Sequence, residues 1–110
     1  MRKLQIYIEI EGKQTYVGLI TGDSPQDARF AYSDSYIAAG YPPISISLPI
    51  SRNPFSAEAT KNFFEGLLPE GFARKTVANW IHAAEDDYLT ILSVLGAECL
   101  GALRISNGAD

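Results

Sequence analysis

The chain has 110 residues, 46% hydrophobic and 20% charged, which suits one globular domain around a single core and excludes a disordered or fibrous chain. Thirteen acids against nine bases give a net charge of −4, and this argues against a nucleic-acid binder, because counterion release needs a dense basic surface. The single cysteine excludes an internal disulfide, no apolar run reaches the roughly 18 to 20 residues of a membrane span, and Met1-Arg2-Lys3 leads into an alternating segment rather than a signal-peptide core. The expectation is therefore a cytoplasmic protein without a membrane contact.

In chain order, Leu4, Ile6, Ile8 and Ile10 alternate with Lys3, Gln5, Tyr7 and Glu9, the period of a half-buried strand. Glu11-Gly12-Lys13 supplies a tight turn into a second run, Gln14 to Ile20, with Val17 and Leu19 expected on one face, so the pair reads as a β-hairpin. Thr21 to Pro25 is a loop by composition, Arg29 to Tyr32 a short third strand, and Tyr36 to Tyr41 the place for a helical turn before Pro42-Pro43. Ile44, Ile46, Leu48 and Ile50 alternate with Ser45, Ser47, Pro49 and Ser51; the pattern predicts a further strand, at an edge or ending at Pro49, which has no N–H to donate.

Beyond this point the period changes to about 3.6. Ser56 is the expected N-cap of a helix with Glu58 in its first turn, running to Glu65 and closed by Gly66. Pro69 suits the first position of a second helix, whose apolar side is Ala73, Val77, Trp80, Ile81 and Ala84. Asp86-Asp87 is placed to cap a third helix, Tyr88 to Leu95, ending at Gly96 and apolar nearly all round, hence central to the core. Leu100 to Ile105 returns to strand character, and Ser106 to Asp110 reads as a tail. The fold class is thus α+β over residues 1–110: a small antiparallel sheet, built from the N-terminal hairpin and later strands, packed with about three short helices.

Catalytic chemistry is hard to find. A triad would need His82, the lone histidine, to meet a serine and an acid, and one His with one Cys gives no metal-ligand spacing. Cys99 sits in a Gly-flanked apolar segment as a small core residue, and Glu85, Asp86 and Asp87 read as helix-capping acids rather than a cation site. Gly96 and Gly101 match half of a phosphate loop, but Ala102 and Leu103 stand where a Lys and a Ser or Thr are required. Arg74-Lys75 is too small a basic patch to imply nucleic acid. The expectation is a non-enzyme with no catalytic residue, cofactor or metal. What stands out is the turn-rich apolar stretch Phe63-Phe64-Glu65-Gly66-Leu67-Leu68-Pro69-Glu70-Gly71. It reads either as a helix–turn–helix corner filling the core, or as a rigid corner shown to a partner protein, where preorganisation limits the entropy lost on binding.

That stretch, with Ser45-Ile46-Ser47-Leu48-Pro49 before it and Leu95-Gly96-Ala97-Glu98-Cys99-Leu100-Gly101-Ala102 after it, resembles the signature of the HipA N-terminal subdomain, and Val17-Gly18-Leu19 in the hairpin fits as well. The resemblance covers roughly residues 3 to 105. HipA proteins are serine/threonine kinase toxins in which this subdomain precedes the kinase core. The present 110 residues stop where a kinase would continue and hold no ATP-phosphate loop, catalytic-loop His-Asp pair or magnesium-binding Asp motif.

A detached subdomain of this kind resembles the HipS antitoxins of tripartite HipBST toxin–antitoxin systems. The resemblance implies a HipT-like serine/threonine kinase as partner, bound and neutralised, with a HipB-like DNA-binding protein in the same complex. It leads us to expect partner contacts from Phe64, Glu65, Leu68, Pro69, Glu70 and Gly71, near the kinase cleft, with Phe63, Leu67 and Trp80 turned inside. Two alternatives stay open: an N-terminal, non-catalytic piece of a full-length HipA-type kinase, or an assembly subunit without inhibitory activity. A DNA-binding accessory factor fits the acidic balance poorly.

Overall fold

The computed structural model describes residues 2–68, 71–82, 84, 87–96 and 102–107. Strands β1 (Arg2–Ile10) and β2 (Lys13–Gly22) form the expected hairpin. Its two-residue loop, Glu11-Gly12, places both residues at positive φ, 52° and 80°, the primed turn whose twist matches that of paired strands. β3 (Arg29–Tyr32) adds to the free side of β2, and β4 (Leu103–Asn107) to the free side of β1, giving a four-stranded antiparallel sheet in the order β3-β2-β1-β4. Among the described residues, four helices follow the third strand and precede the last: α1 (Asp34–Ala38), α2 (Ala57–Glu65), α3 (Gly71–Trp80) and α4 (Tyr88–Leu95). The α+β class and the sheet agree with the sequence reading.

A bulge sets which residues of the hairpin face the core. Ile6 pairs with Gly18 but Tyr7 with Tyr16, leaving Val17 as an extra residue on β2. Val17 and Ile20 are therefore buried with Leu4 and Ile6, while Leu19, expected beside Val17, is only half-buried. Strict alternation fails here because one inserted residue inverts the phase of the strand beyond it. Gly18 is the point of closest approach to β3, where a Cβ would collide with the carbonyl oxygen of Ala31.

α4 lies against the sheet as expected for a helix apolar nearly all round, with Tyr88, Leu89, Ile91 and Leu92 buried. Its N-cap is Asp87, whose Oδ1 accepts from the Thr90 backbone N–H at 3.2 Å. At its other end Gly96 lets the helix meet β4, since a Cβ there would stand 2.5 Å from the Cβ of Ile105. The start of the chain is tied to this cap: the Arg2 guanidinium donates to Asp87 Oδ1 at 3.2 Å and to Thr90 Oγ1 at 2.8 Å. Burial works against the Asp87 carboxylate, but the Thr90 hydroxyl and amide and the Arg2 charge outweigh it and hold its pKa below the ordinary 3.8.

An aromatic cluster joins β3 to α2. The Phe30 ring stands 4.9 Å from Tyr32, 5.5 Å from Phe64 and 6.0 Å from Phe55, centroid to centroid. The outer edge of β3 is closed by the polypeptide itself: Phe55 N–H donates to the Phe30 carbonyl at 2.8 Å, and the buried Thr60 hydroxyl on α2 accepts from Phe30 N–H at 2.9 Å. An unpaired strand edge is thereby satisfied without a fifth strand.

Several expectations require correction. Residues 44–50 form no strand; they carry an isolated bridge between Ser45 and Leu48 within a turn. Leu48 N–H returns to the Ser45 carbonyl at 3.1 Å and Ser45 Oγ accepts from Ser47 N–H at 3.2 Å. Serine hydroxyls compete with neighbouring strands for backbone groups, and the prolines at 42, 43 and 49 have no N–H for a ladder. The helical turn expected over Tyr36 to Tyr41 begins earlier, at Asp34, because Ser33 caps it by accepting from Tyr36 N–H at 3.1 Å.

Trp80, placed inside by the sequence, is 80% exposed. Ala78 is buried and Val77 and Ile81 half-buried, so the packed stripe of α3 is turned toward Ala78, and at about 100° per residue this carries Trp80 off it. Ala84 is exposed as well. His82 lies beyond α3 at φ 60°, with its N–H directed to the Asn79 carbonyl at 3.3 Å, in the left-handed conformation common after a helix end. Ser106 and Asn107, read as tail, belong to β4. Pro69, Glu85, Asp86, Cys99, Gly101 and residues 108–110 lie outside the described residues.

Candidate functional site

Two parallel rows run along α2 and into the turn after it: Thr60, Phe64 and Leu68, and Ala59, Phe63 and Leu67. The first faces the core. Phe64 is fully buried and Leu68 nearly so, because the hydroxyl of Thr60 serves β3 and fixes the rotation of the helix. The second row is left half-buried on the outer side. Phe63 and Leu67, placed inside by the sequence, are packed against the core but only half-buried and also line a groove, whereas Phe64 and Leu68, expected at a partner contact, are buried in the core.

The outer row borders an open groove of about 520 Å³, lined by Ser47, Ala59, Asn62, Phe63, Gly66 and Leu67. The Phe63 ring is held edge-on against Phe64, centroids 4.9 Å apart and planes at 85°, so its position is set by the core beneath it. Ser56 Oγ fixes the start of α2 by accepting from Ala59 N–H at 3.1 Å, and Gly66 forms its C-cap. The opposite wall is the turn carrying Ser47, with its neighbour Ile46 pointing entirely into solvent at 99% exposure. The lining holds no titratable side chain and no nucleophile with a base beside it. Its chemistry is an apolar recess with one side-chain amide and one hydroxyl, which suits receiving an apolar side chain and hydrogen-bonding the backbone that carries it.

The remaining expected contact residues are divided. Glu65 ends α2 half-buried, and its carboxylate lies close enough to the Tyr88 phenol to act on it: burial first, then Glu65, push that phenol up to about 12. Gly71 opens α3. Pro69 and Glu70 lie outside the described residues. Among the described residues no group of three or more His, Cys, Asp or Glu is placed to hold a metal, and no helix is long and apolar enough to cross a membrane. The exposed Ile46 and the Phe63 row were missed by period alone. Ser45-Ile46-Ser47 between prolines was the available signal for a turn; the phase of α2 had none, since it depends on a hydrogen bond to another element.

Comparison with known proteins places this fold. Residues 8–106 match the HipA N-terminal domain, and the chain belongs to that family, the non-catalytic N-terminal domain of HipA. The candidate kinase Y4mE of Sinorhizobium fredii is 36% identical over 90 residues, which are 81% of this chain and 21% of that protein. The chain therefore spans about a fifth of the length of that relative. An uncharacterized protein of Haemophilus influenzae is 30% identical over 90 residues, 82% of this chain and 81% of that protein.

Proposed function

We propose that this chain is an antitoxin that binds and neutralises a HipT-like serine/threonine kinase, and that the groove beside Phe63 and Leu67 belongs to the contact. The observation that carries the reading is the row Ala59, Phe63 and Leu67, partly buried against the core and open to the groove, in a domain that a relative named as a kinase carries within a longer chain. On this reading the complement of that surface is a kinase body. The Haemophilus influenzae relative, four-fifths spanned by this chain, supports the domain's occurrence as a small protein. An inhibitor acts by binding one kinase state better than another or by covering the nucleotide or substrate entrance, and a HipB-like DNA-binding protein completes the proposed complex.

The test is the activity of a HipT-like kinase from the same genome, if one is encoded there, with the purified chain titrated in. Stoichiometric binding with loss of activity is the expected result. Tight binding with unchanged activity would make the chain an assembly subunit, and absence of binding would refute the antitoxin. A second reading rests on the match to Y4mE, in which the corresponding segment is a fifth of a longer protein: the chain is then the N-terminal part of a kinase, shown by a reading frame that runs on past Asp110.

A further inference from the structure

The sheet has a second face. The helices pack on one side of it, where Phe64, Leu89 and Leu92 share the core with Leu4, Ile6 and Ile105. Side chains that alternate with those strand positions point the other way. Among them Tyr7, Tyr16, Leu19 and Ala31 are half-buried and belong neither to the core nor to the residues packed against it. The Tyr7 and Tyr16 rings stand 5.5 Å apart, centroid to centroid, and the Tyr7 hydroxyl donates to Gln5 Oε1 at 3.1 Å. A solvated face is ordinary for an antiparallel sheet; what singles this one out is the order of residues along it.

On β1 the outward residues are Lys3, Gln5, Tyr7 and Glu9, so a cation and a carboxylate stand three residues to either side of Ile6. Both are exposed, and neither meets a charge across the hairpin: Lys3 is opposite Thr21 and Glu9 opposite Gln14. The register arranges the neighbours symmetrically about the same level. Leu19 lies opposite Gln5 and Tyr16 opposite Tyr7, one residue to either side of Ile6, and Ser106 and Arg104 flank that level in the same way on β4. A two-fold axis crossing the strands at Ile6 therefore lays Lys3 of one copy on Glu9 of the other, Gln5 on Tyr7 and Leu19 on Tyr16, each pair twice. Arg104 falls on Ser106, so no like charges are superposed. Arg29, at the corner of the face, donates to the Phe55 and Pro54 carbonyls at 2.9 and 3.3 Å. The face is thus complementary to itself, as an isologous interface requires.

We propose that this face binds a second copy of the chain, sheet on sheet and antiparallel about that axis, with Lys3–Glu9 pairs closing both ends of a centre made by Leu19 and Tyr16. Two sheets packed face to face keep their strand directions within about 30°, which preserves the pairing near β1 and β2. The face is about 20 Å long and four strands wide at roughly 4.8 Å per strand, less than the roughly 800 Å² per partner of a standard interface. The dimer is accordingly weak, with a Kd on the order of 100 μM. The inference goes beyond the antitoxin reading and does not depend on it.

The experiment is sedimentation equilibrium of the purified chain from about 10 μM to about 1 mM, a range that brackets the expected Kd, for wild type, Lys3→Glu, Glu9→Lys and the double exchange. Wild type should pass from monomer to dimer. Each single reversal puts like charges together at two places and should weaken association by about tenfold, less at high salt, whereas the double exchange should return to within about threefold of wild type. Leu19→Ser should weaken it as well, and circular dichroism of each variant checks that the fold is kept. A wild type that stays monomeric at about 1 mM, well above the expected Kd, would overturn the proposal and leave the face to solvent or to another protein. Dimers that ignore both single reversals, or that the double exchange fails to restore although it is folded, would also overturn it, by placing the contact elsewhere.

Discussion

The segments Leu4–Ile10 and Ile44–Ile50 carry nearly the same pattern, four aliphatic residues alternating with others, and end in opposite states. In the first, Ile6 is fully buried between two paired strands; in the second, Ile46 is 99% exposed on a turn. Hydrophobic alternation is thus permission to form a strand, and backbone partners decide whether one forms. β1 has a free N–H at every position and a hairpin partner reached by a two-residue turn. The second segment has prolines on both sides and inside, and serines that satisfy the backbone locally.

Truncation at the two positions is the sharpest way to break this contrast. Ile6→Ala should cost about 3 to 4 kcal/mol, as for a buried aliphatic residue that leaves a cavity, whereas Ile46→Ala should change stability by less than about 0.5 kcal/mol; urea denaturation of both variants measures the difference. Equal losses would mean that the turn is packed and the contrast false.

A smaller effect separates the turn from its support. Tyr32→Phe removes the hydroxyl shared by Ile44 N–H and the Leu48 carbonyl, and should cost about 1 to 2 kcal/mol while speeding amide exchange at Ile44. Unchanged exchange there would show that the serines alone hold the turn.

The cap of α4 gives a pH test. Asp87 has a depressed pKa in the folded protein, so its stabilisation is complete above the ordinary carboxylate value and is lost as pH falls through the folded one. Asp87→Ala should cost about 1 kcal/mol at pH 7 through loss of the helix cap, and the gap between variant and wild type should narrow in acid. A constant gap from neutral pH down to about pH 2, well below the ordinary carboxylate pKa, would argue against the charge.

The smallest effect concerns Tyr88, whose hydroxyl is buried with no hydrogen-bond partner among the described residues. Replacing it by Phe should stabilise the protein by up to about 1 kcal/mol, because a buried unsatisfied hydroxyl is removed. With the phenol raised from 10.0 to about 12, the wild type keeps this tyrosine neutral, and the corresponding stability is present below pH 10 and lost as pH rises toward 12. Absorbance titration should therefore show a delayed tyrosine that is missing in the variant.

The legible parts of the molecule were those whose cause is local. The Glu11-Gly12 turn, the Ser56 and Asp87 caps, the glycine ends of α2 and α4 and the strand Arg29–Tyr32 all appear where the residues place them, because caps and turns act within a few positions. Which side of α2 lines the groove was not legible in the sequence. The stretch from Phe63 onward does border a surface groove, but Phe63 and Leu67 face it, while Phe64 and Leu68 do not.

By itself, then, the sequence determined the α+β class, the hairpin, the capped helices and the membership of the HipA N-terminal family, since these follow from local backbone preference and from motifs in order. The tertiary structure alone decided the inversion at Val17, the rotation of α2 and the outward display of Ile46. Each of those depends on a group far away in the chain: Gly18 against Ala31, Thr60 bonded to Phe30, Tyr32 bonded to Leu48. A polar atom that finds its partner across the fold can turn an apolar face inward or outward, and neither periodicity nor composition carries that partner's address.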